Sequence, residues 1–167
     1  VVSGIIEPLK LQYGLSSGQE GLFVSCALLG CIVGVAFSGY LSDKIGRRKI
    51  LLFSLSLITI GMLLAAVCNS YSQLAGLRFL TGLGIGGILP AMAATTSEFS
   101  NNKYRDFNVG LVQAGWPVGA ILTGFVCAYT IPHYGWRTAF MLAGVISLLM
   151  LVLVYFFVTD SLDFLIS

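Results

Sequence analysis

Long stretches without a charged residue dominate the chain. Five of them cover Gly21–Ser42, Ile50–Leu77, Phe79–Ser97, Phe107–Trp136 and Thr138–Thr159. Each is close to or longer than the roughly 20 apolar residues that a helix needs to cross a bilayer. None alternates polar and apolar residues over about ten positions, as the strands of a membrane barrel would. The pattern therefore predicts five complete transmembrane helices.

The predicted helices fall at residues 19–41, 49–69, 73–96, 106–131 and 136–158. Ser17 and Glu20 have the spacing of a capping box, which suits a helix start just before the first apolar run. Residues 1–10 are too few to span a bilayer, and they lack the basic region of a signal peptide. We expect them to be the outer half of a partial first helix that begins upstream of Val1.

Basic residues are divided unequally between the two sides of this arrangement. Short polar turns join the runs, so sequential helices are expected to be antiparallel neighbours. Six basic residues then share one side and two share the other; they are Lys44, Arg47, Arg48, Lys49, Lys103 and Arg105 against Lys10 and Arg137. The positive-inside rule places the larger set in the cytoplasm. We predict a multi-pass protein of the plasma (inner) membrane with loops 42–49 and 97–106 cytoplasmic.

Composition agrees with a membrane protein and narrows the chemistry. Of the 167 residues 10% are charged, against roughly 25% in an ordinary soluble domain. A net charge of +2 gives no reason to expect a nucleic-acid partner. The four cysteines lack metal-ligand spacing, and His133, the only histidine, lies in a predicted outer turn with no catalytic group converging on it. We expect no metal, no cofactor and no enzymatic activity.

The most informative stretch is Gly39–Lys49, which reads GYLSDKIGRRK. Its glycines permit a tight turn, and the Asp43 carboxylate can accept hydrogen bonds at a helix end. The stretch resembles the loop between helices two and three of the major facilitator superfamily, G-x-L-a-D-r-x-G-R-R/K-R/K, and every defined position matches. The resemblance implies an all-α fold, a polytopic membrane helix bundle that is the six-helix N-terminal half of a major facilitator fold, with its first helix truncated and the second half absent.

The same resemblance implies a gate on the cytoplasmic face. Glu98 and Arg105 flank a later turn with the spacing of the superfamily's E-x-x-x-x-x-x-R. Ion pairs at such a rim are worth only about 0–1 kcal/mol each, which suits a latch that opens in every cycle. The implied gate residues are Gly39, Asp43, Gly46, Arg47, Arg48, Glu98 and Arg105. The alternative is that these charges are simply solvated at the membrane surface.

Two polar residues inside the apolar runs are candidates for a coupling and substrate site. A charge at the centre of a membrane helix costs about 2.5–3.5 kcal/mol or more, so it normally faces a cavity or a partner. Arg78–Gly84 reads RFLTGLG and resembles the superfamily's R-x-x-q-G-x-g, whose arginine is linked to coupling, although Thr81 departs from the usual Gln. The alternative is that Arg78 extends to the outer headgroups. Gln113 resembles a substrate-contacting Gln of the sugar branch.

Small residues at helical spacing predict close helix packing. Gly30 and Gly34 have the GxxxG spacing that lets two helix backbones approach. Gly115 and Gly119 repeat it three helices later, which is consistent with an internal three-plus-three repeat, although ordinary close packing explains it equally well. Pro117 is expected to bend its helix. The predicted packing positions are Gly30, Gly34, Gly82, Gly86, Gly115, Pro117 and Gly119.

Two branches of the superfamily divide the resemblance. Ser25–Cys31 looks like the sugar porters, whereas Gly115–Gly119, which reads GWPVG, resembles the G-F/W-P-x-G of the aromatic acid:proton symporters. The antiporter signature of this helix, G-x-x-x-G-P-x-x-G-G, is not reproduced. The missing signature favours import and leaves export open as the alternative, and the resemblance implies an aromatic or organic acid or a sugar as substrate.

The function implied is secondary active transport of a small organic solute, coupled to protons and working by alternating access. Arg78 and Gln113 would line the cavity. The expected partners are the solute, protons, the lipid bilayer and the C-terminal six-helix half of the same protein. The alternative is a polytopic membrane protein that does not transport, such as a receptor or scaffold whose basic loops bind cytoplasmic partners.

Overall fold

The computed structural model describes residues 16–101 and 103–158, so the partial helix predicted at residues 1–10 lies outside the described residues. Five helices form most of the described chain: α1 (Ser17–Ile45), α2 (Arg47–Val67), α3 (Tyr71–Phe99), α4 (Arg105–Tyr134) and α5 (Trp136–Phe157). All five are long and apolar enough to cross a membrane, and the described residues contain no β-strand. The predicted all-α bundle of membrane helices is confirmed.

Single glycines separate two pairs of helices. Gly46 lies between α1 and α2 with φ 97°, and Gly135 lies between α4 and α5 with φ 81°. Glycine adopts a positive φ at little cost, so one residue is enough to change the chain direction. The polar residues on either side stay helical as a result. Of the predicted loop 42–49 only Gly46 is non-helical, and α4 continues through Pro132 to its end.

The start of α1 uses Ser16 and Gln19 rather than the predicted pair Ser17 and Glu20. The Ser16 backbone N–H donates to Gln19 Oε1 at 3.0 Å, which is the capping-box contact made from the third helical position. Both pairs have the same spacing, and Gln serves this position as well as Glu does. The prediction was therefore wrong by one residue.

The contact between α1 and α3 is made by backbone against backbone. On each helix two glycines four residues apart face a carbonyl oxygen of the other helix, and a Cβ at any of the four would collide with that oxygen. The pairs are Gly30 with Phe79, Gly34 with Leu83, Gly82 with Ala27 and Gly86 with Cys31. Residue numbers increase together along the contact, so α1 and α3 run parallel. Membrane helices associate through close packing of this kind because lipid is as apolar as their side chains.

α4 makes no such contact within the described residues. Gly115 and Gly119 are exposed, and no described atom lies within 4 Å of a Cβ placed at either glycine. Pro117 between them is exposed as well. The same GxxxG spacing therefore has two different surroundings, because it permits close approach without specifying which helix approaches.

One end of the bundle is held by an arginine. Nη2 of Arg137, at the start of α5, donates to Asn69 Oδ1 at 2.6 Å and to the Cys68 carbonyl oxygen at 3.4 Å. Its Cζ lies 5.4 Å from the ring centroid of Trp136. These contacts join α5 to the turn between α2 and α3, beside the core cluster that includes Cys68 and Trp136.

Replacing Gly86 by Ala tests the backbone contact. The added Cβ would collide with the Cys31 carbonyl, so α1 and α3 must separate, and overpacking of this kind costs about 1–3 kcal/mol. We expect a lower melting temperature for the intact protein in detergent, measured by tryptophan fluorescence. Gly76→Ala on the same helix is the matched control, since a Cβ there meets no described atom within 4 Å. Equal melting temperatures for the two variants would contradict this account.

A double-mutant cycle tests the contact between Arg137 and Asn69. We expect Arg137→Ala and Asn69→Ala to be coupled by about 0.5–1 kcal/mol in unfolding free energy, because their hydrogen bond is charge-assisted but exposed. The measurement is denaturant unfolding of the two single variants and the double variant in detergent micelles. Additive effects of the two substitutions would show that the contact does not hold the turn.

Candidate functional site

Arg78 is a charged residue in the interior of the bundle. It lies seven positions after Tyr71, the first residue of α3, which is about 10 Å along the helix axis. Only 4% of its surface is exposed. The side chain therefore does not reach out to the surface, and a charge buried in this way needs compensating groups around it.

Two phenyl rings lie beside the guanidinium of Arg78. Its Cζ is 5.2 Å from the ring centroid of Phe23 on α1 and 4.6 Å from that of Phe140 on α5. We call Phe23 and Phe140 the aromatic cage. Trp136 packs edge-on against Phe140, with centroids 5.9 Å apart and planes at 87°. A ring face attracts a desolvated cation by about 2 kcal/mol, so the cage offsets part of the cost of burying the charge.

Two nitrogens of this guanidinium are not used within the described residues. Nε and Nη2 of Arg78 are buried and have no hydrogen-bond partner among residues 16–101 and 103–158. The rings of the aromatic cage carry no conventional acceptor atom, so they leave these donors unsatisfied. A carboxylate accepts two parallel hydrogen bonds from a guanidinium and matches this arrangement. Arg78 is therefore suited to bind an anionic group.

Gln113 occupies a different environment from Arg78. It lies on α4 within residues 110–122, which are exposed throughout. Nε and Nη2 of Arg78 have no partner in the described part of the chain, so Gln113 does not hydrogen-bond to either. The structure thus does not bring the two predicted coupling residues together, and Gln113 shares its exposed stretch with Gly115, Pro117 and Gly119.

Two of the predicted gate arginines bind backbone carbonyls at the opposite end of the bundle from Arg137. Nη2 of Arg48 donates to the Tyr155 carbonyl oxygen at 2.7 Å, near the end of α5, and its Cζ lies 5.7 Å from the Tyr155 ring centroid. Nε of Arg105 donates to the Ser97 carbonyl oxygen at 3.1 Å, near the end of α3. Carbonyls at a helix C-terminus carry partial negative charge, so they attract these cations.

The remaining gate residues lie near the same turns. Gly46 forms the turn between α1 and α2, and Arg47 beside it is half-buried. Gly39 is exposed, and a Cβ there would meet no described atom within 4 Å. The side chains of Asp43 and Glu98 lie outside the described part of the structure. The pairing of acids with arginines in this gate therefore stays a prediction.

An open groove between α3 and α4 offers neutral hydrogen-bonding groups. It is lined by Thr95, Thr96, Ser100, Asn108, Leu111 and Val112. Nδ2 of Asn108 donates to Ser100 Oγ at 3.0 Å. Among residues 16–101 and 103–158, no group of three or more His, Cys, Asp or Glu side chains could hold a metal ion. The groove therefore offers hydroxyl and amide groups, in contrast to the buried charge of Arg78.

The sequence distinguishes Arg78 but neither its cage nor the partner of Arg48. Phe23 and Phe140 are apolar residues within apolar runs, so nothing in their spacing separates them from phenylalanines that face lipid. Tyr155 contributes a backbone oxygen, which no side-chain pattern reveals. The available signal was the charge itself, because an arginine in hydrocarbon needs partners and aromatic rings are among the groups that provide them.

This chain matches a known protein family over most of its length. The Major Facilitator Superfamily profile matches residues 1–163. The cis,cis-muconate transport protein of Acinetobacter baylyi is 34% identical over 163 residues, covering 96% of this chain and 38% of that protein. The gallate transporter of Pseudomonas putida is 31% identical over 165 residues, covering 98% and 37%. The 4-hydroxybenzoate transporter PcaK of Acinetobacter baylyi is 34% identical over 166 residues, covering 98% and 36%.

Two solved structures of xylose transporters have the same fold. The crystal structure of a D-xylose-proton symporter superposes with a TM-score of 0.85 at 26% identity, covering 99% of this chain and 45% of that chain. The inward-open xylose transporter XylE from E. coli superposes with a TM-score of 0.86 at 25% identity, with the same coverage. The chain thus spans less than half the length of each of these proteins.

Proposed function

Because this chain belongs to the Major Facilitator Superfamily, we propose that it is the N-terminal part of a secondary active transporter that moves a small organic solute by alternating access. The resemblance seen in the sequence is confirmed, and five membrane-length helices make the chain an integral membrane protein. The family and the relatives named above are transporters. The observation that carries the proposal is the buried guanidinium of Arg78 with two unsatisfied nitrogens.

The substrate that we propose is an aromatic or organic acid. The relatives named for cis,cis-muconate, gallate and 4-hydroxybenzoate take compounds that are carboxylates at neutral pH. A carboxylate is also the group that matches Nε and Nη2 of Arg78. A sugar is the alternative, supported by the likeness to a xylose symporter, but a sugar brings no negative charge to the guanidinium.

Proton coupling follows if an acidic residue shares Arg78 with the substrate. A carboxylate held by Nε and Nη2 loses most of its attraction to the guanidinium once it is protonated. Arrival of a proton would then release Arg78 for the substrate carboxylate, so that proton and solute enter together. We propose that this acid lies outside residues 16–101 and 103–158, among which Nε and Nη2 have no partner. The likeness to a D-xylose-proton symporter supports the choice of ion.

The exposed surface of α4 supports a second half. Residues 110–122 contribute little to the described core, and the relatives are more than twice as long as this chain. We propose that a C-terminal six-helix half covers this surface and that Gln113 then lines the cavity between the halves. Gly115, Pro117 and Gly119 would allow a neighbouring helix to approach α4 closely.

We propose that the gate lies at the basic turns between α1 and α2 and between α3 and α4. Arg48 and Arg105 already lie against helix C-termini there, and Asp43 and Glu98 supply acids on the same turns. Exposed ion pairs are weak enough to break in each cycle. The gate residues are Gly39, Asp43, Gly46, Arg47, Arg48, Glu98 and Arg105, and we propose that they face the cytoplasm from the plasma membrane.

Cysteine labelling tests the orientation. In a cysteine-free background of the intact protein, we expect Lys103→Cys to resist a membrane-impermeant maleimide in whole cells and to react in inside-out vesicles. His133→Cys should show the opposite pattern, because both positions are exposed but lie at opposite ends of the helices. Labelling of position 103 from outside would contradict the proposed topology.

Uptake into proteoliposomes tests the function. We expect the intact protein to accumulate at least one of 4-hydroxybenzoate, gallate and cis,cis-muconate when the lumen is alkaline, and to lose this accumulation when a protonophore is added. Arg78→Ala should lower kcat/KM for that acid at least about 30-fold, because a charge-assisted contact is worth about 2 kcal/mol or more. D-xylose is the competing substrate to be tested.

The control variant is Lys103→Ala, which removes an exposed charge on the turn before α4. We expect it to transport at the unmodified rate. Uptake that does not depend on the pH gradient would contradict the proposed proton coupling. A folded protein that moves none of these solutes would support a receptor or scaffold instead.

A further inference from the structure

The aromatic cage places two side chains next to a residue on which the proposed function depends. Arg78 on α3 contacts one ring from α1 and one from α5, so three helices meet at its guanidinium. We propose that Phe23 and Phe140 are positioning residues, which hold this guanidinium in place by cation–π attraction while it binds a carboxylate. This inference rests on the function proposed above and adds to it the groups that orient Arg78.

A phenyl ring can position a guanidinium because it has no hydrogen-bond acceptor atom. Phenyl faces attract the cation but present no oxygen or nitrogen acceptor, so they hold the guanidinium without using its N–H donors. The structure agrees with this, since both rings lie near Cζ while Nε and Nη2 are buried and have no partner among the described residues. Acidic or amide groups in the places of the two rings would occupy these donors permanently and leave none for the exchange between the coupling acid and the substrate proposed above. The cage leaves the donors available.

The register of α1 and α3 determines one side of the cage. The backbone contact between these helices repeats every four residues on each helix. The cage lies one helical turn before its first glycine on α3. The successive pairs along the two helices are Cys31 with Gly86, Ala27 with Gly82 and Phe23 with Arg78. The position of Phe23 is thus held by backbone collisions that cannot relax by side-chain rotation, which is the rigidity that a positioning residue needs.

The other side of the cage is supported by aromatic packing. Phe140 is completely buried, and the edge of one ring meets the face of the other in its contact with Trp136. Phe23 has a similar neighbour in Tyr71, with centroids 6.4 Å apart, and the Tyr71 hydroxyl donates to the Gln19 carbonyl oxygen on α1. Each ring therefore has an aromatic neighbour that restricts its motion.

A purely structural role predicts a different response to substitution. If Phe140 only fills space, its contribution depends on volume and apolarity, and fluorination of the ring leaves it almost unchanged. If it attracts the guanidinium, its contribution depends on the negative charge of the ring face, which each added fluorine reduces. The two roles are therefore separated by changing the ring's charge distribution at nearly constant size.

The test replaces Phe140, in the intact transporter, by phenylalanines with one, two and three ring fluorines, and in a separate variant by Leu. Uptake kinetics are measured in proteoliposomes with whichever of 4-hydroxybenzoate, gallate and cis,cis-muconate the unmodified protein transports. We expect kcat/KM to fall stepwise with fluorine number and to fall about tenfold for Phe140→Leu. The same series at Phe23 should behave alike.

The matched control is the same series at Phe53, an exposed phenylalanine on α2. We expect no dependence on fluorine number there. If Phe140→Leu does not fold, the fluorinated series still decides, since it preserves the apolar volume of the ring. A fluorine dependence at position 140 that is no steeper than at position 53 would overturn the cage proposal.

Arg78→Ala separates this inference from the function on which it rests. If uptake is lost in Arg78→Ala while the fluorinated series is flat, the transport function stands and the cage is wrong. If uptake is unchanged in Arg78→Ala, the proposed role of Arg78 is wrong, and the cage then has no guanidinium to position for transport.

Discussion

The close approach of α1 and α3 is the constraint on which the rest of this structure depends. Carbonyl oxygens of one helix occupy the space that side chains would fill at glycines of the other, so neither helix can slide or rotate without collision. The register fixed in this way determines what surrounds Arg78, one turn before Gly82. In lipid, apolar surface gives helices little preference for one partner over another. Steric fit between backbones therefore supplies the specificity that hydrophobic burial supplies in water.

Most of the fold is visible in the sequence because the bilayer imposes so few solutions. Charge-free runs of membrane length allow only helices, and the number and order of the helices follow from them. The turns were less predictable. The polar stretch 42–49 has the composition of a loop, yet only Gly46 leaves the helical conformation, because a single residue with positive φ is enough to reverse the chain. Composition describes solvent contact at a helix end but not the backbone conformation.

The sequence reveals one residue of the candidate site and not those that contact it from other helices. Arg78 can be recognised from the sequence alone, because a charge within an apolar run is costly wherever it lies. Phe23 and Phe140 do not stand out, since their role exists only through contacts between helices that are distant in the chain. Gly30 and Gly115 show the same limit from the other side. Both begin a GxxxG, but only Gly30 packs against a described helix. The spacing allows close packing and does not specify which helix packs there.

The aromatic cage imposes an order on the assembly of these helices in the membrane. Phe23 precedes Arg78 in the chain, whereas Phe140 belongs to α5, two helices later, and is synthesised after the whole of α3. Until then the guanidinium has one ring instead of two, and an isolated α3 carries an uncompensated charge into hydrocarbon. Packing against α1 and then against α5 brings the two rings to this charge and offsets part of that cost. The burial of this one charge is thus completed only when three helices have packed together.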